Sequence, residues 1–391
     1  MKLKEVSARV IKDSRGEKTI LVSVNGCLSS SPSGKSTGKY EAKPYRHGVE
    51  HDVAFINNMR FSREINKFED LEFLENYVAK QIGANTMFAL EASVLKALAK
   101  SQGKELWQLL NPAINPKKAK FPRILSNTIG GGAHSNNIRH PDFQEFLITS
   151  NNNPTKSKEI NENAYCQAKT ILKNLEQKEI EKNDENALQT SFENEKVLEV
   201  MKDLQEDIHD EKSVHIDIGL DVASSQFFIN GKYGYKNPKK NLTREQQIDY
   251  IAELIKKYNI FYVEDALDEE DFEGFAELLK KTKGECLICG DDLTTTNLER
   301  VKIAIKKKAI NAIIVKPNQI GSLLEVKKVI ELAKKNGLFV IISHRSGETI
   351  DNTIGDLAFA WGADFIKTPV IGVERLAKVD RLIEIEKSLG R

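Results

Sequence analysis

Residues 260–292, IFYVEDALDEEDFEGFAELLKKTKGECLICGDD, contain the repeating unit from which the fold can be predicted. Two short apolar runs, IFYVED and CLICGDD, enclose a helical pattern, and each run ends in acidic residues. Apolar strands that alternate with helices are typical of a parallel sheet whose faces are covered by helices. The stretch therefore predicts one βα unit followed by the strand of the next unit.

Six apolar runs of this kind occur between residues 214 and 369, and most of them precede a helical pattern. Six or more such units favour a closed (β/α) barrel, in which chemistry collects at the carboxyl ends of the strands. An open doubly wound sheet is the alternative, but that fold usually binds its ligand at one crevice. Here nearly every strand end carries a reactive side chain: Asp221, Glu264, Asp291 with Asp292, Lys316, His344 with Arg345, and Lys367.

The first three of these strand ends carry carboxylates, which a barrel would bring within a few ångströms of one another. Uncompensated carboxylates at that distance repel, and some of them take up protons. A hard divalent cation removes this repulsion, and ligands that are all oxygen suit Mg²⁺. The pattern therefore predicts a magnesium site at Asp221, Glu264 and Asp291.

The next three strand ends carry cations, which suit a substrate with several negative charges, such as a phosphorylated carboxylate. Crowding of positive charges is expected to lower the pKa of a lysine such as Lys316, because each ammonium disfavours the next. A lysine treated in this way can act as a general base near neutral pH.

Composition narrows the class of protein. The 391 residues carry a net charge of only +1, which argues against a nucleic-acid partner. The opening residues lack the apolar stretch of a secretory leader, and the longest apolar runs are too short to cross a bilayer. Cys286 and Cys289 lie in an apolar run without a second cysteine pair, so core packing is expected rather than zinc. We expect a soluble cytoplasmic protein.

The earlier part of the chain differs in style. Strand-like EVSARVIKDS and KTILVSVNG are followed by helical patterns, and NPAINPKKAKFP is typical of a linker. We predict an N-terminal α+β domain over 1–115 and the barrel over 120–391, with exposed helices within 155–212. SSPSGKSTGKYEA, residues 30–42, ends like a phosphate-binding P-loop, but Ser29 stands where that loop requires glycine.

Longer motifs carry a family resemblance. KDSRGEKT, PSGKSTGKYEA, GGGAHSNN with DFQEFLI, GLDVASSQFF, VEDALDEEDFEGF, GDDLTTTN, KPNQIGSLLE, SHRSGET and ERLAKVDRLIEIE follow one another along almost the whole chain. In this order they resemble the motifs of the enolase (phosphopyruvate hydratase) family. The resemblance implies an α+β cap before an enolase-type (β/α)8 barrel that begins with two strands and two helices. It also implies a homodimer or a higher homo-oligomer.

The activity that the resemblance implies is Mg²⁺-dependent dehydration of 2-phosphoglycerate to phosphoenolpyruvate, a step of glycolysis and gluconeogenesis. Lys316 is then the base that takes the C2 proton, and Glu185 protonates the departing hydroxyl beside Glu145. The other implied residues are Asp221, Glu264 and Asp291 as Mg²⁺ ligands, Lys367 beside the substrate carboxylate, Arg345 and Ser346 at the phosphate, His134 and His344 in the pocket, and Ser36 at a second Mg²⁺.

The chain departs from the family pattern at two places near the site. Lys35 replaces an alanine, and KNDENALQTSFENE replaces the segment G-D-E-G-G, so both glycines after Glu185 are missing. Their loss restricts the backbone and could move the carboxylate; Glu181 and Glu193 are alternative registers. Two other hypotheses therefore remain: an enolase-like enzyme for a different carboxylate, and a non-catalytic binding protein.

Overall fold

The computed structural model describes residues 1–35, 38–116 and 118–391. Its N-terminal part is a three-stranded antiparallel sheet in the order β1-β2-β3, packed against helices. Ile20, Val22 and Val24 alternate along the middle strand and are fully buried, which accounts for the packing of this face. The elements are β1 (Val6–Lys12), β2 (Lys18–Val24), β3 (Cys27–Ser30), α1 (Val49–Asn58), α2 (Leu71–Val78), α3 (Ala84–Ser101) and α4 (Leu106–Leu110).

The second part of the chain alternates strands and helices. Within the described residues, no helix is both long enough and apolar enough to span a membrane. Short 3₁₀ helices cover Phe68–Asp70, Gly132–His134, Ser224–Phe227 and Pro317–Gln319. The elements are β4 (Arg123–Gly130), β5 (Glu145–Ser150), α5 (Pro154–Glu176), β6 (Leu188–Gln189), α6 (Asn194–Lys212), β7 (Ile216–Asp221), β8 (Phe228–Ile229), β9 (Lys232–Lys236), β10 (Lys239–Leu242), α7 (Arg244–Tyr258), β11 (Tyr262–Glu264), α8 (Phe272–Lys281), β12 (Leu287–Gly290), α9 (Leu298–Lys307), β13 (Ala312–Val315), α10 (Leu323–Lys335), β14 (Phe339–Ser343), α11 (Thr353–Ala360), β15 (Phe365–Lys367) and α12 (Val373–Ser388).

Eight strands close into a barrel in the order β4-β5-β7-β11-β12-β13-β14-β15. The last strand, β15, pairs in parallel with β4, which excludes the open sheet. Strand β5 runs antiparallel to both of its neighbours, whereas the other barrel pairs are parallel. Two strands and then two long helices precede the regular units, so the predicted barrel with its unusual start is confirmed.

The barrel interior is a small apolar core of its own. Leu125, Leu147, Tyr262, Ile314 and Phe365 are among its buried members. The neighbouring residues on each strand point outward to the helices, as the two-residue period of a strand requires. The sulfur-containing member of the interior is Cys289, and Cys286 is buried outside it, so core packing of the two cysteines is confirmed.

Two regions differ from the sequence-based prediction. The helical stretch expected over 155–212 is interrupted, because residues 177–193 form turns and the short strand β6 between α5 and α6. The three-stranded sheet β8–β10 was not predicted. Its strands are two to five residues long, which is too short for an alternating pattern to be recognised.

Asp351 joins the N-terminal sheet to the barrel. Its Oδ2 atom accepts hydrogen bonds from Ser29 Oγ at 2.8 Å and Ser30 N at 3.2 Å, and pairs with Lys96 Nζ at 2.8 Å. Burial opposes the charge of this carboxylate, but Lys96 outweighs burial and lowers the pKa of Asp351 from 3.8 to about 2. The carboxylate therefore stabilises the fold only while it remains ionised.

We expect Asp351→Asn to lower the free energy of unfolding at pH 7 by about 2 kcal/mol. Because the folded pKa lies below the unfolded value, this contribution is complete above the unfolded pKa and is lost as the pH falls through about 2. The difference between the variant and the natural chain should accordingly shrink below pH 3.8. Urea unfolding at a series of pH values measures it.

Asp249→Asn is the matched control, because Asp249 pairs with Lys281 where both side chains are about half exposed. Its cost should stay below about 0.5 kcal/mol. Equal stability of the Asp351 variant and the natural chain at pH 7 would contradict the docking role of Asp351.

Candidate functional site

The strand ends bring the predicted carboxylates side by side. Glu145, Asp221 and Glu264 are direct partners in the ladders of β5, β7 and β11. Asp291 and Lys316 directly follow β12 and β13. Glu145 lies at the first position of β5, and it reaches the same rim because that strand runs in the opposite direction.

Lys367, at the end of β15, lies among the three paired carboxylates. Its Nζ atom is 2.9 Å from Glu145 Oε2, 2.9 Å from Asp221 Oδ2 and 2.7 Å from Glu264 Oε2. Burial would lower the pKa of this lysine, but the carboxylates, Asp221 first among them, raise it well above its ordinary value. The neighbouring carboxylates therefore favour the charged form of Lys367.

Lys316 forms a close ion pair with Asp291 Oδ2, and Gln319 Nε2 lies 3.3 Å from the other carboxylate oxygen. Burial and Arg345 both favour the neutral amine of Lys316, yet Asp291 and Glu264 raise its pKa above the ordinary value. The expected lowering of this pKa is wrong here, because a carboxylate rather than another cation contacts the ammonium.

The oxygen-rich floor fits a hard cation. Asp291 forms a close group with Asp265 and Asp292 whose carboxylate oxygens lie within 4.8 Å of one another. Burial and the neighbouring charges raise the pKa of Glu264 well above its ordinary value. Glu264 Oε1 is buried, and no hydrogen-bond partner for it occurs in the described part of the chain. Oxygen donors that are crowded and incompletely satisfied favour a bound cation.

Asp265 was missed at the sequence level, although it follows Glu264 directly. Its carboxylate accepts hydrogen bonds from Asp291 N at 2.9 Å and Asp292 N at 2.8 Å. It thereby fixes the backbone that carries the predicted ligand Asp291. The acidic pair at residues 264 and 265 was the available signal.

On the opposite side of the cavity, Glu185 lies beside two histidines. Its Oε1 is 3.4 Å from His134 Nδ1, and its Oε2 is 4.0 Å from His344 Nε2. Burial would raise the pKa of Glu185, but His134 and Arg375 lower it below the ordinary value. Burial lowers the pKa of His344 well below its ordinary value.

Glu145 adjoins this group, with Oε1 3.9 Å from His134 Nδ1. Burial, the first cause, and the charges of Glu185 and Asp221 raise its pKa to about 8, against the opposing effect of Lys367. The protonated form is therefore favoured at Glu145 and the ionised form at Glu185.

The backbone around Glu185 holds its shape without the two glycines. Asn183 Oδ1 accepts hydrogen bonds from Glu185 N at 2.9 Å and Ala187 N at 3.0 Å. Asn186 adopts a positive φ of 65°, a conformation that asparagine tolerates better than most residues. Of the alternative registers, Glu181 is exposed and Glu193 precedes α6 as its N-cap.

A further corner of the cavity is cationic. Arg345 pairs through NH2 with both carboxylate oxygens of Glu41, at 3.1 and 3.0 Å. The Oγ atom of Ser346 accepts hydrogen bonds from Lys35 N at 2.6 Å and Arg15 NH1 at 3.2 Å. Glu41 was not recognised as a site residue, because nothing in its local pattern reveals a partner about three hundred residues away.

The chain before Lys35 is seated on this corner by its backbone. Ser33 N donates to Gly347 O at 2.7 Å, and Gly347 N donates back at 2.8 Å. A Cβ atom at Gly347 would lie 2.1 Å from Asp13 Oδ2, so only glycine allows this approach. The predicted ligand Ser36 lies outside the described residues.

One cavity at the carboxyl rim is lined by all the other predicted site residues but one. The exception is Glu264, at the end of β11, which contacts Lys367. The assignment of a chemical role to each residue stays a prediction. The lining includes His134, Glu145, Glu185, Asp221, Asp291, Lys316, His344, Arg345, Ser346 and Lys367.

Residues 118–391 match the family described as enolase, C-terminal TIM barrel domain. The chain is 39% identical to the enolase of Methanosphaera stadtmanae, over 99% of this chain and 97% of the relative. It is 38% identical to the enolase of Natronomonas pharaonis, over 98% of each chain. It is 36% identical to the enolase of Archaeoglobus fulgidus, over 100% of this chain and 98% of the relative.

The conformation of Asn186 yields a stability prediction. We expect Asn186→Val to lower the free energy of unfolding by about 1–2 kcal/mol, because a β-branched side chain is strained at positive φ. Asn186→Gly is the matched control and should change it by less than about 0.5 kcal/mol. Urea unfolding measures both, and equal stabilities of the two variants would show that this backbone conformation imposes no constraint.

Proposed function

The chain belongs to the enolase family and is an enolase-type hydro-lyase, and we propose that it dehydrates 2-phosphoglycerate to phosphoenolpyruvate with Mg²⁺ as cofactor. The observation that carries this proposal is the placement of a lysine and a carboxyl pair on opposite sides of one buried cavity. Elimination of water across two adjacent carbons requires such a division, since a base acts on one carbon and an acid on the other.

In the proposed reaction, the Lys316 amine removes the proton from C2. The electron pair of that C–H bond moves toward the carboxylate and then forms the C2–C3 double bond as the C3–O bond breaks. The hydroxyl leaves with a proton as water. Burial and Arg345 favour the neutral amine, whereas Asp291 and Glu264 favour the ammonium and prevail. Lys316 can therefore serve as this base when both carboxylates are engaged by another cation.

Asp221, Glu264 and Asp291 are the residues that would hold the Mg²⁺ ion. When bound, the ion supplies positive charge that stabilises the dianionic carboxylate formed by proton removal. Lys367 adds a second positive charge from the chain itself, since its pKa is held well above the ordinary value. Together these residues counter the negative charge that makes the C2 proton difficult to remove.

Glu185 and Glu145 share the work on the acid side. Glu145 is the group that holds the proton; it passes this proton to the ionised Glu185, whose carboxylate oxygen lies within 4.8 Å. Glu185 in turn gives the proton to the departing hydroxyl, so that water leaves and Glu145 is left ionised. The pKa of about 8 at Glu145 supports this division, because that carboxyl retains its proton at neutral pH. His134 lies within 4 Å of both carboxylates and orients the pair.

The cationic corner is proposed to hold the phosphate. Ser346 and Arg345 are its central residues, because a guanidinium fork matches phosphate oxygens. The buried position of Glu185 in the cavity supports this proposal over a different carboxylate substrate or a non-catalytic protein. By the same family relationship, we propose a cytoplasmic homodimer or higher homo-oligomer that acts in glycolysis and gluconeogenesis.

The test is Mg²⁺-dependent formation of phosphoenolpyruvate from 2-phosphoglycerate, followed by ultraviolet absorbance. We expect turnover by the natural chain, loss of turnover after chelation of the metal, and at least a 1000-fold loss in Lys316→Ala, of the order expected for removing a general base. Lys328→Ala is the control, since Lys328 is an exposed partner of Glu325. Substrate binding without turnover by the natural chain would contradict the proposal.

A second measurement separates the two halves of the reaction. In deuterated water, Glu185→Gln should still exchange the C2 hydrogen of 2-phosphoglycerate, because Lys316 remains, but it should release little phosphoenolpyruvate. Lys316→Ala should lose both activities. Exchange that disappears in Glu185→Gln would mean that this carboxyl group acts on the C2 proton.

A further inference from the structure

Lys35 stands where the family pattern has an alanine, and the proposed reaction assigns no role to it. Its Nζ atom lies 3.1 Å from Asp184 Oδ2, with 34% and 38% of the two side chains exposed. Asp184 directly precedes Glu185. The lysine therefore reaches from one side of the cavity to the chain that carries the acid on the other side.

The backbone of the same residue is fixed at the cationic corner, where Lys35 N donates to Ser346 Oγ at 2.6 Å. Arg375, which is fully buried, joins the same two segments. Its NH2 donates to Asp184 O at 3.2 Å and to Ser346 O at 2.9 Å. Lys35, Asp184, Arg375 and Ser346 thus form a closed ring of contacts.

We propose that Lys35 is a positioning residue, which holds the 183–187 segment against the cationic corner and so orients Glu185 toward the reacting hydroxyl. The inference deepens the proposed dehydration and rests on it for its kinetic consequence. Lys35 acts through Asp184 and not by contact with the substrate. The Lys35 side chain makes one of the ring contacts, the pair with Asp184, so it can be removed while the backbone contact of Lys35 and the two Arg375 contacts remain.

The strength of this restraint is set by exposure. An ion pair that is one-third exposed contributes at most about a fivefold factor, and added salt screens it. The restraint should therefore tune the position of Glu185 without being needed for folding. That makes substitutions at Lys35 and Asp184 usable in the intact protein.

The first test measures position without turnover. In hydrogen–deuterium exchange, Lys35→Met should speed exchange of the Glu185 and Ala187 amides, which donate to Asn183 Oδ1, by about three- to fivefold. Lys35→Arg keeps the positive charge and should leave the exchange of these amides as slow as in the natural chain. Lys39→Met is the matched control, because Lys39 pairs with Glu270 at 3.9 Å, where both partners are exposed. Unchanged exchange in Lys35→Met would overturn the proposal.

The second test is a double-mutant cycle on turnover. Lys35→Met and Asp184→Asn should each lower kcat by about three- to fivefold with KM within about twofold, and the double variant should be no worse. The effect should fade between about 0.05 M and about 0.5 M KCl. Additive losses would overturn the coupling.

The third outcome concerns the substrate. A KM that rises in Lys35→Met, together with an unaffected Asp184→Asn variant, would mean that the lysine binds the phosphate directly, and the positioning role would be wrong. If the natural chain gave no turnover, the proposed function would fail, while the exchange measurements would still decide whether Lys35 restrains the segment.

Discussion

The site depends on one buried ammonium among three carboxylates. Glu145, Asp221 and Glu264 occupy one level of three adjacent strands, where their charges would repel if nothing compensated them. Lys367 supplies that compensation, with all three carboxylates within 2.9 Å. Since this lysine ends the last strand, it reaches them only when β15 closes onto β4. Closure of the barrel is therefore required to place Lys367 among these carboxylates.

The reversed direction of β5 adds an acidic residue, Glu145, to the carboxyl rim of the barrel. In a fully parallel barrel, the first residue of a strand lies at the opposite end from the chemistry. Antiparallel pairing places Glu145 at the rim, where His134, in the 3₁₀ helix after the carboxyl end of β4, also lies. Glu145 therefore contacts Lys367 on one side and adjoins His134 and Glu185 on the other.

The sequence predicts the barrel strands and their reactive ends well, because strong apolar runs and the period of βα units are local properties. It predicts poorly which charged side chains pair with one another. The expected lowering of the Lys316 pKa failed because the nearest group is Asp291, a distance relation that spacing alone does not reveal. Glu41 was missed for the same reason, since its partner Arg345 is remote in the chain.

The acid segment shows the opposite limit. Missing glycines suggested a displaced carboxylate, whereas Asn186 adopts the left-handed conformation and Asn183 caps the turn. A backbone requirement can be met by more than one residue type, so a broken family motif does not by itself predict a broken geometry. Placing Glu185 at the site required the three-dimensional structure.

The loop over residues 343–351 contributes both to the cavity and to the contact between the barrel and the N-terminal sheet. One end presents His344, Arg345 and Ser346 to the cavity, and the other ends in Asp351, which grips the N-terminal sheet. Between them, Gly347 locks onto Ser33 through reciprocal backbone bonds. Because both ends of the loop and its middle are fixed, insertion of a single residue is expected to displace either the Asp351 contacts or the cavity residues. Its length is consequently expected to be among the least tolerant features of the molecule to deletion or insertion, even though it contains no regular helix or strand beyond its first residue.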